Sequence, residues 1–250
     1  MRTCLHVDVG PAADDAELAA DALWQLGATA IEQQPARLVA GFADDGAVRA
    51  AHDALARRWS ARIVELDPAW RDVLRSPART IRVRDDVTVE IDPGRVFGNG
   101  DHPTTTAALD ALVSEVRAGD RVLDVGCGSG VLAVAAARLG ASAVVAVDVD
   151  PEAAEVTRAN AHRNGVAQVI DASTTPVADV PGPPFDVVVA NLGGRLVVDE
   201  VARHLAARTG RALIVGGLLD DGRPAPAIAG LAPERTITAD GWTTIVYRCR

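Results

Sequence analysis

The chain of 250 residues contains no lysine; all 25 of its basic residues are arginine. A lysine Schiff base and a lysine general base are therefore excluded. Aromatic residues make up only 3%, and the single tyrosine is Tyr247. An oxidoreductase built on a Tyr–Lys pair has no residues to work with. The three cysteines, Cys4, Cys127 and Cys249, are odd in number and lack metal-ligand spacing. They predict neither a disulfide framework nor a metal site, and they fit a reducing cytoplasmic setting. No apolar run approaches the roughly eighteen residues of a bilayer span, so no membrane partner is expected. The opening MRTCLHVDVG meets acidic residues too early for a secretory signal. Against 25 arginines stand 34 acids, a net charge of −9. That balance argues against a broad nucleic-acid surface and predicts no direct nucleic-acid binding.

What is present is the mixture of a soluble globular protein, 48% apolar and 24% charged. The length predicts one or two domains. Residues 1–66 alternate between period-two and helical patterns. Thr3–Val9 reads as a strand, Asp14–Leu26 as a helix stopped by Gly27, and 28–33 and 37–42 as strands around Pro35. A helix capped by Asp44 or Asp45 then runs to Trp59, and 61–66 closes the set as a strand. The order βαββαβ predicts a small ferredoxin-like α+β domain. Residues 67–87 read as a linker, with Trp70 as a packing anchor and a hairpin beginning at Thr80. From 88 to 250 the rhythm becomes helix then strand, repeated. Strands such as VVVA and ALIV are nearly uniform apolar runs, as a parallel sheet covered on both faces requires. This predicts a doubly wound α/β domain ending in an antiparallel hairpin.

The chemistry is concentrated at VLDVGCGSG, Val122–Gly130, a strand–helix turn. Glycines 126, 128 and 130 predict a tight backbone and close approach of a ligand. The spacing G-x-G-x-G departs from the dinucleotide G-x-G-x-x-G. The preceding Asp124 would repel a pyrophosphate but suits the ammonium end of S-adenosylmethionine. Asp148, expected at the end of the second strand, is placed to accept from both hydroxyls of a ribose. Asp150 is the expected helix cap, and Asp171 is either an adenine acceptor or a plain turn residue. Cys127 fits the loop because it is small. Upstream, Ile91–Leu112 sets glycines 94, 98 and 100 beside His102, Pro103 and Thr104, Thr105 and Thr106.

With GNGDHPTT, DVGCGSG, DVDP and ANLGG in that order, the chain resembles the PrmA family, methyltransferases of ribosomal large-subunit protein eleven. The resemblance is good over about 88–220 and implies a Rossmann-like class I methyltransferase domain. It implies S-adenosylmethionine as cofactor, held by residues that fall on Thr105, Gly126, Asp148 and Asn191. The bottom-up reading adds Asp124, Cys127, Gly128 and Gly130 to that set. The resemblance implies methyl transfer to a lysine or an N-terminal α-amine of a ribosomal protein. Asn191, after VVVA, would accept a hydrogen bond from the amine. His102 is either catalytic or a helix-start histidine that, with Thr104, orders a lid. Asn99 and Asp101 replace the threonines usual in the box, and Gly193–Gly194 replaces bulkier residues. The second departure widens the substrate side, and another protein or a small-molecule amine is the alternative substrate.

Overall fold

The computed structural model describes residues 3–10, 13–34, 36–42, 44–65, 77–193, 195–220 and 222–250. Trp70 and Pro35, to which the sequence assigns a packing anchor and a turn, lie outside the described residues. The chain divides into two compact units, Met1–Val73 and Leu74–Arg250.

In the first unit, β1 (Thr3–Asp8), α1 (Ala13–Gln25), β2 (Ala28–Gln34), β3 (Arg37–Phe42), α2 (Asp45–Leu55) and β4 (Ser60–Glu65) follow one another. The sheet order is β2-β3-β1-β4 with every neighbour antiparallel, which is the ferredoxin-like arrangement. Alternation along β1 turns Leu5 and Val7 toward Ala19 and Leu23 of α1 and Val48 and Leu55 of α2. Asp44 caps α2, its side chain accepting from Gly46 N at 2.8 Å and Ala47 N at 2.9 Å. The helix ends at Leu55, short of the expected Trp59. The Trp59 indole N–H instead donates to Asp15 at 2.9 Å.

The second unit opens with β5 (Arg79–Arg84) and β6 (Val87–Ile91), an antiparallel pair. The second half of the predicted linker is thus a strand of this unit. There follow α3 (Pro103–Glu115), β7 (Arg121–Val125), α4 (Val131–Arg138), β8 (Ala143–Val147), α5 (Pro151–Arg163), β9 (Ile170–Ser173), β10 (Phe185–Asn191), α6 (Arg195–Arg208) and β11 (Thr209–Leu219). The chain closes with β12 (Leu231–Ala239) and β13 (Trp242–Cys249). The sheet order is β12-β13-β11-β10-β7-β8-β9; β7 to β11 are parallel and β13 is antiparallel to both its neighbours.

Alternate strand residues enter two separate cores. Val122, Val187, Val189, Ile214 and Val246 pack with Leu112, Val134 and Ala161 from α3, α4 and α5. Leu123, Val125, Val188, Leu213 and Tyr247 face the other way, onto Val198 and Leu205 of α6. Two-sided burial is what the uniform apolar runs encode, each such side chain contributing about 1.5–3 kcal/mol. From β7 the chain winds outward through β8 and β9 on one side, while β10 and β11 lie on the other. The crevice at the carboxyl ends of β7 and β10 is therefore a topological switch point, where ligands of open α/β sheets lie. Among the described residues no helix is long and apolar enough to cross a membrane.

Candidate active site

The segment 126–130 connects β7 to α4 at that switch point, with positive φ at all three glycines. At Gly128 (φ 51°) a Cβ would come within 2.6 Å of the Phe97 carbonyl oxygen. The glycine requirement there comes from the protein's own backbone, and not from ligand approach as the sequence suggests. Every N–H of the turn also has a protein acceptor. Gly126 N and Cys127 N donate to Val147 O, Gly128 N to Asp148, Ser129 N to Phe97 O and Gly130 N to Cys127 O. A phosphate-binding turn keeps its N–H groups directed at the anion. This turn has none to offer, so a dinucleotide pyrophosphate has no cradle.

Asp148 follows β8, half-buried. Its Oδ2 accepts from Gly128 N at 2.9 Å and its Oδ1 from Asp150 N at 3.0 Å. Two backbone donors fix the carboxylate, and each oxygen keeps lone-pair capacity for a further donor. Asp150 caps α5 as expected, accepting from Glu152 N at 2.8 Å. Between them Val149 is 95% exposed, an apolar side chain at the rim that the sequence reading passed over. Its signal was a valine held between two aspartates at a strand end. Asp171 does not end the third strand; it pairs with Val145, and Ser173 occupies the carboxyl end opposite Val147.

Asp124 lies wholly buried beneath the turn. Its Oδ2 accepts from Ala133 N at 3.0 Å, and Oδ1 has no partner among the described residues. Burial, with a smaller contribution from nearby Asp148, pushes its carboxyl up to about 7 despite the Ala133 hydrogen bond. The Cys127 side chain turns inward, with Thr157 donating to its sulfur at 3.3 Å. Burial raises the thiol well above its ordinary range, so it is no nucleophile. Its backbone is engaged within the turn, the N–H donating to Val147 O at 3.1 Å and the carbonyl accepting from Gly130 N at 2.7 Å.

The box before α3 is fastened onto the glycine turn. Ser129 donates to Gly98 O at 2.6 Å, while Asn160 of α5 donates to Ser129 O at 2.9 Å and to Asp92 O at 3.0 Å. Asn160 is 1% exposed. Sequence reasoning missed both residues; for Asn160 the available sign was a polar side chain on the face that carries Ala153, Ala154, Thr157 and Ala161. Of the two departures in the box, Asn99 accepts from Asp101 N at 3.3 Å and Asp101 pairs with Arg79. Both contacts lie on the surface. Gly194 falls outside the described residues.

His102 is the N-cap of α3: Nδ1 accepts from Thr104 N at 3.3 Å and lies 2.8 Å from Thr104 Oγ1. Burial lowers its pKa against the opposing effect of Asp101. Nδ1 is thus engaged in the helix cap, the helix-start arrangement that the sequence offers beside a catalytic one. Asn191, at the end of β10, donates from Nδ2 to Thr104 Oγ1 at 3.3 Å. Its Oδ1 is buried with no partner among the described residues, as is Thr105 Oγ1. Oδ1 lies over Gly216, where a Cβ would come within 2.7 Å of it. The structure thus gathers Asp124, Asp148, Thr105, Asn191 and His102 at one end of the sheet.

The family model described as ribosomal protein L11 methyltransferase (PrmA) matches residues 57–249. The chain belongs to that family. Among its relatives, the ribosomal protein L11 methyltransferase of Citrifermentans bemidjiense is 44% identical over 164 residues, covering 62% of this chain and 51% of that protein. That of Geobacter sulfurreducens is 41% identical over 194 residues, covering 75% and 60%. This family member spans about half the length of the curated relatives it matches. The crystal structure of a ribosomal protein L11 methylase from Lactobacillus delbrueckii subsp. bulgaricus superimposes with a TM-score of 0.58 at 22% identity, over 68% of this chain and 98% of the other. That likeness concerns the fold. Most of the first unit lies before the matched residues.

Proposed function

We propose that this protein is an S-adenosylmethionine-dependent methyltransferase acting in the cytosol on an amine nitrogen of a ribosomal protein, of the kind its relatives are named for. The observation that carries the reading is a group of buried oxygens with no partner among the described residues, Thr105 Oγ1, Asp124 Oδ1 and Asn191 Oδ1, three of the four such side-chain oxygens in the unit that carries the family match, the other being Thr244 Oγ1. Each such group costs about 1–3 kcal/mol unless something binds to it. A zwitterionic nucleoside suits the crevice they line: its ammonium suits the Asp124 carboxyl, its sugar hydroxyls the Asp148 carboxylate, and its purine the exposed side chain of Val149. When bound, S-adenosylmethionine supplies an already activated sulfonium methyl group.

What remains for the chain is to position an uncharged amine in line and to exclude water, which is worth about 7–11 kcal/mol in favourable systems. Near pH 7.5 a lysine with pKa about 10.4 is roughly one part in a thousand neutral, whereas an α-amine at about 7.8 is roughly one-third neutral. The site contains no strong base with a free lone pair. Asn191 Oδ1 then accepts a hydrogen bond from the amine and aims its lone pair, and the proton leaves to water. Because Oδ1 is covered, its cover gives way as the amine arrives. The ferredoxin-like unit docks the client protein, and the acidic chain suits a basic one.

The test is incubation with methyl-labelled S-adenosylmethionine and a ribosomal protein extract. One labelled band of a small ribosomal protein supports the reading. Label appearing only on an added small amine, or nowhere, overturns the assignment of a protein client.

A further inference from the structure

The first residues of α3 form a chain of hydrogen bonds whose direction follows from elementary chemistry. A backbone N–H can only donate. The Thr104 N–H bond to His102 Nδ1 therefore requires a lone pair on that nitrogen and places the ring proton on Nε2. The Thr104 hydroxyl, 2.8 Å from the same nitrogen, faces an acceptor and has to donate to it. Its single proton is then committed, so the Thr104 oxygen toward Asn191 acts only as an acceptor. The Asn191 group 3.3 Å away must be the amide N–H, which leaves Oδ1 as the free end. The ring that starts this chain is clamped edge-on by two others. Phe97 and Trp242 each lie 5.3 Å from it, at interplanar angles of 67° and 65°.

We infer that His102 is a positioning residue for Asn191: acting through the Thr104 hydroxyl, it decides which end of the Asn191 amide is offered to the ligand. The inference rests on the reading of Asn191 as an acceptor for the amine. An amide turned the other way would present N–H groups to a nitrogen that carries hydrogens, and the contact would be lost. Burial of His102 supports the arrangement, because a neutral ring keeps the acceptor lone pair on which the chain depends.

Two measurements on the full chain test this. In long-range proton–nitrogen spectra of labelled protein without ligand, His102 should show the Nε2–H tautomer; an Nδ1–H ring overturns the chain. In kinetics, Thr104→Val removes the hydroxyl but keeps the backbone donor of the cap. It should lower kcat about tenfold, the factor one aligned hydrogen bond is worth, with KM for the methyl donor little changed. His102→Ala should fall to a similar level, and the double variant no lower than either single one. His102→Asn, whose side-chain oxygen accepts from the same two donors, should recover most of the rate. Additive losses, or parental kcat in Thr104→Val, overturn the inference. Asn191→Ala measured alongside separates the two readings. If it retains parental kcat, the acceptor role of Asn191 fails; if it loses kcat while Thr104→Val does not, only the relay fails.

Discussion

Two aspartates bracket strand β7, and they live in opposite environments. Asp120, at the amino end, accepts from Arg211 through both oxygens, at 3.1 and 2.5 Å, and from Arg117 N at 2.8 Å. Burial alone would raise its pKa, but Arg211 and the Arg117 amide together hold it below the usual carboxylate range. Glu115 nearby is paired with Arg248 at 2.6 and 3.2 Å. Asp124, at the carboxyl end, has one backbone donor, no cation, and an oxygen with no partner. The same residue type on one strand is stabilised at one end and left in deficit at the other. Buried side-chain oxygens without a partner among the described residues, on Thr105, Asp124 and Asn191, lie at the end where the sheet order switches, while at the amino end Arg211 Nε is the buried atom left without one.

The strongest way to break this contrast is at the rim. Asp148→Ala removes the acceptor proposed for two ribose hydroxyls and leaves the Gly128 and Asp150 amides without partners. Affinity for S-adenosylmethionine should drop by more than about a hundredfold, since hydrogen bonds to a charged group are worth about 1.5–3 kcal/mol each. Calorimetry showing parental affinity would remove Asp148 from the site. Asn191→Ala should cut turnover by about a hundredfold, as loss of an aligned polar contact can, with donor affinity largely kept. Parental turnover takes Asn191 out of the mechanism. At the other end, Asp120→Ala leaves Arg211 only the Glu115 carbonyl at 2.9 Å and Asp186 at 3.9 Å, and should cost about 1.5–3 kcal/mol in chemical denaturation, leaving donor affinity unchanged. A variant that kept its stability but lost affinity would reverse the comparison.

A further effect concerns pH. The Asp124 carboxyl sits above its ordinary value, at about 7 in the folded protein. The folded state therefore holds a proton that the unfolded chain has released, between about pH 4 and pH 7. Stability from this group is complete below that window and is lost as pH rises through about 7. Asp124→Asn should flatten that slope and be the more stable protein at pH 8 when empty. An unchanged slope would show that Asp124 is ionised throughout.

Much of this was legible in the residues because it is local. The uniform strands, the Asp150 cap and the glycine turn are each specified within a few positions, and they correctly give the doubly wound sheet and the crevice. What escaped depends on partners far along the chain. The glycine at 128 is needed because Phe97 O occupies the place of its side chain, and spacing alone cannot show that neighbour. Ser129 and Asn160 received no role from the sequence, because Ser129 acts on Gly98 O and Asn160 on Asp92 O and Ser129 O, all 31 or more positions away. Asp171 was displaced by two residues of register, enough to move it away from the carboxyl edge. Asp124 was recognised as chemically telling, but its burial and missing counter-charge emerge only once helix α4 covers it.

The most direct measurement is a crystal structure of the protein soaked with S-adenosylhomocysteine. The account predicts sugar hydroxyls on Asp148, the amino-acid end beside the turn that follows β7, and Thr105 and Asn191 oxygens newly partnered. A turn that stays empty, or a ligand lodged elsewhere on the sheet, would contradict it.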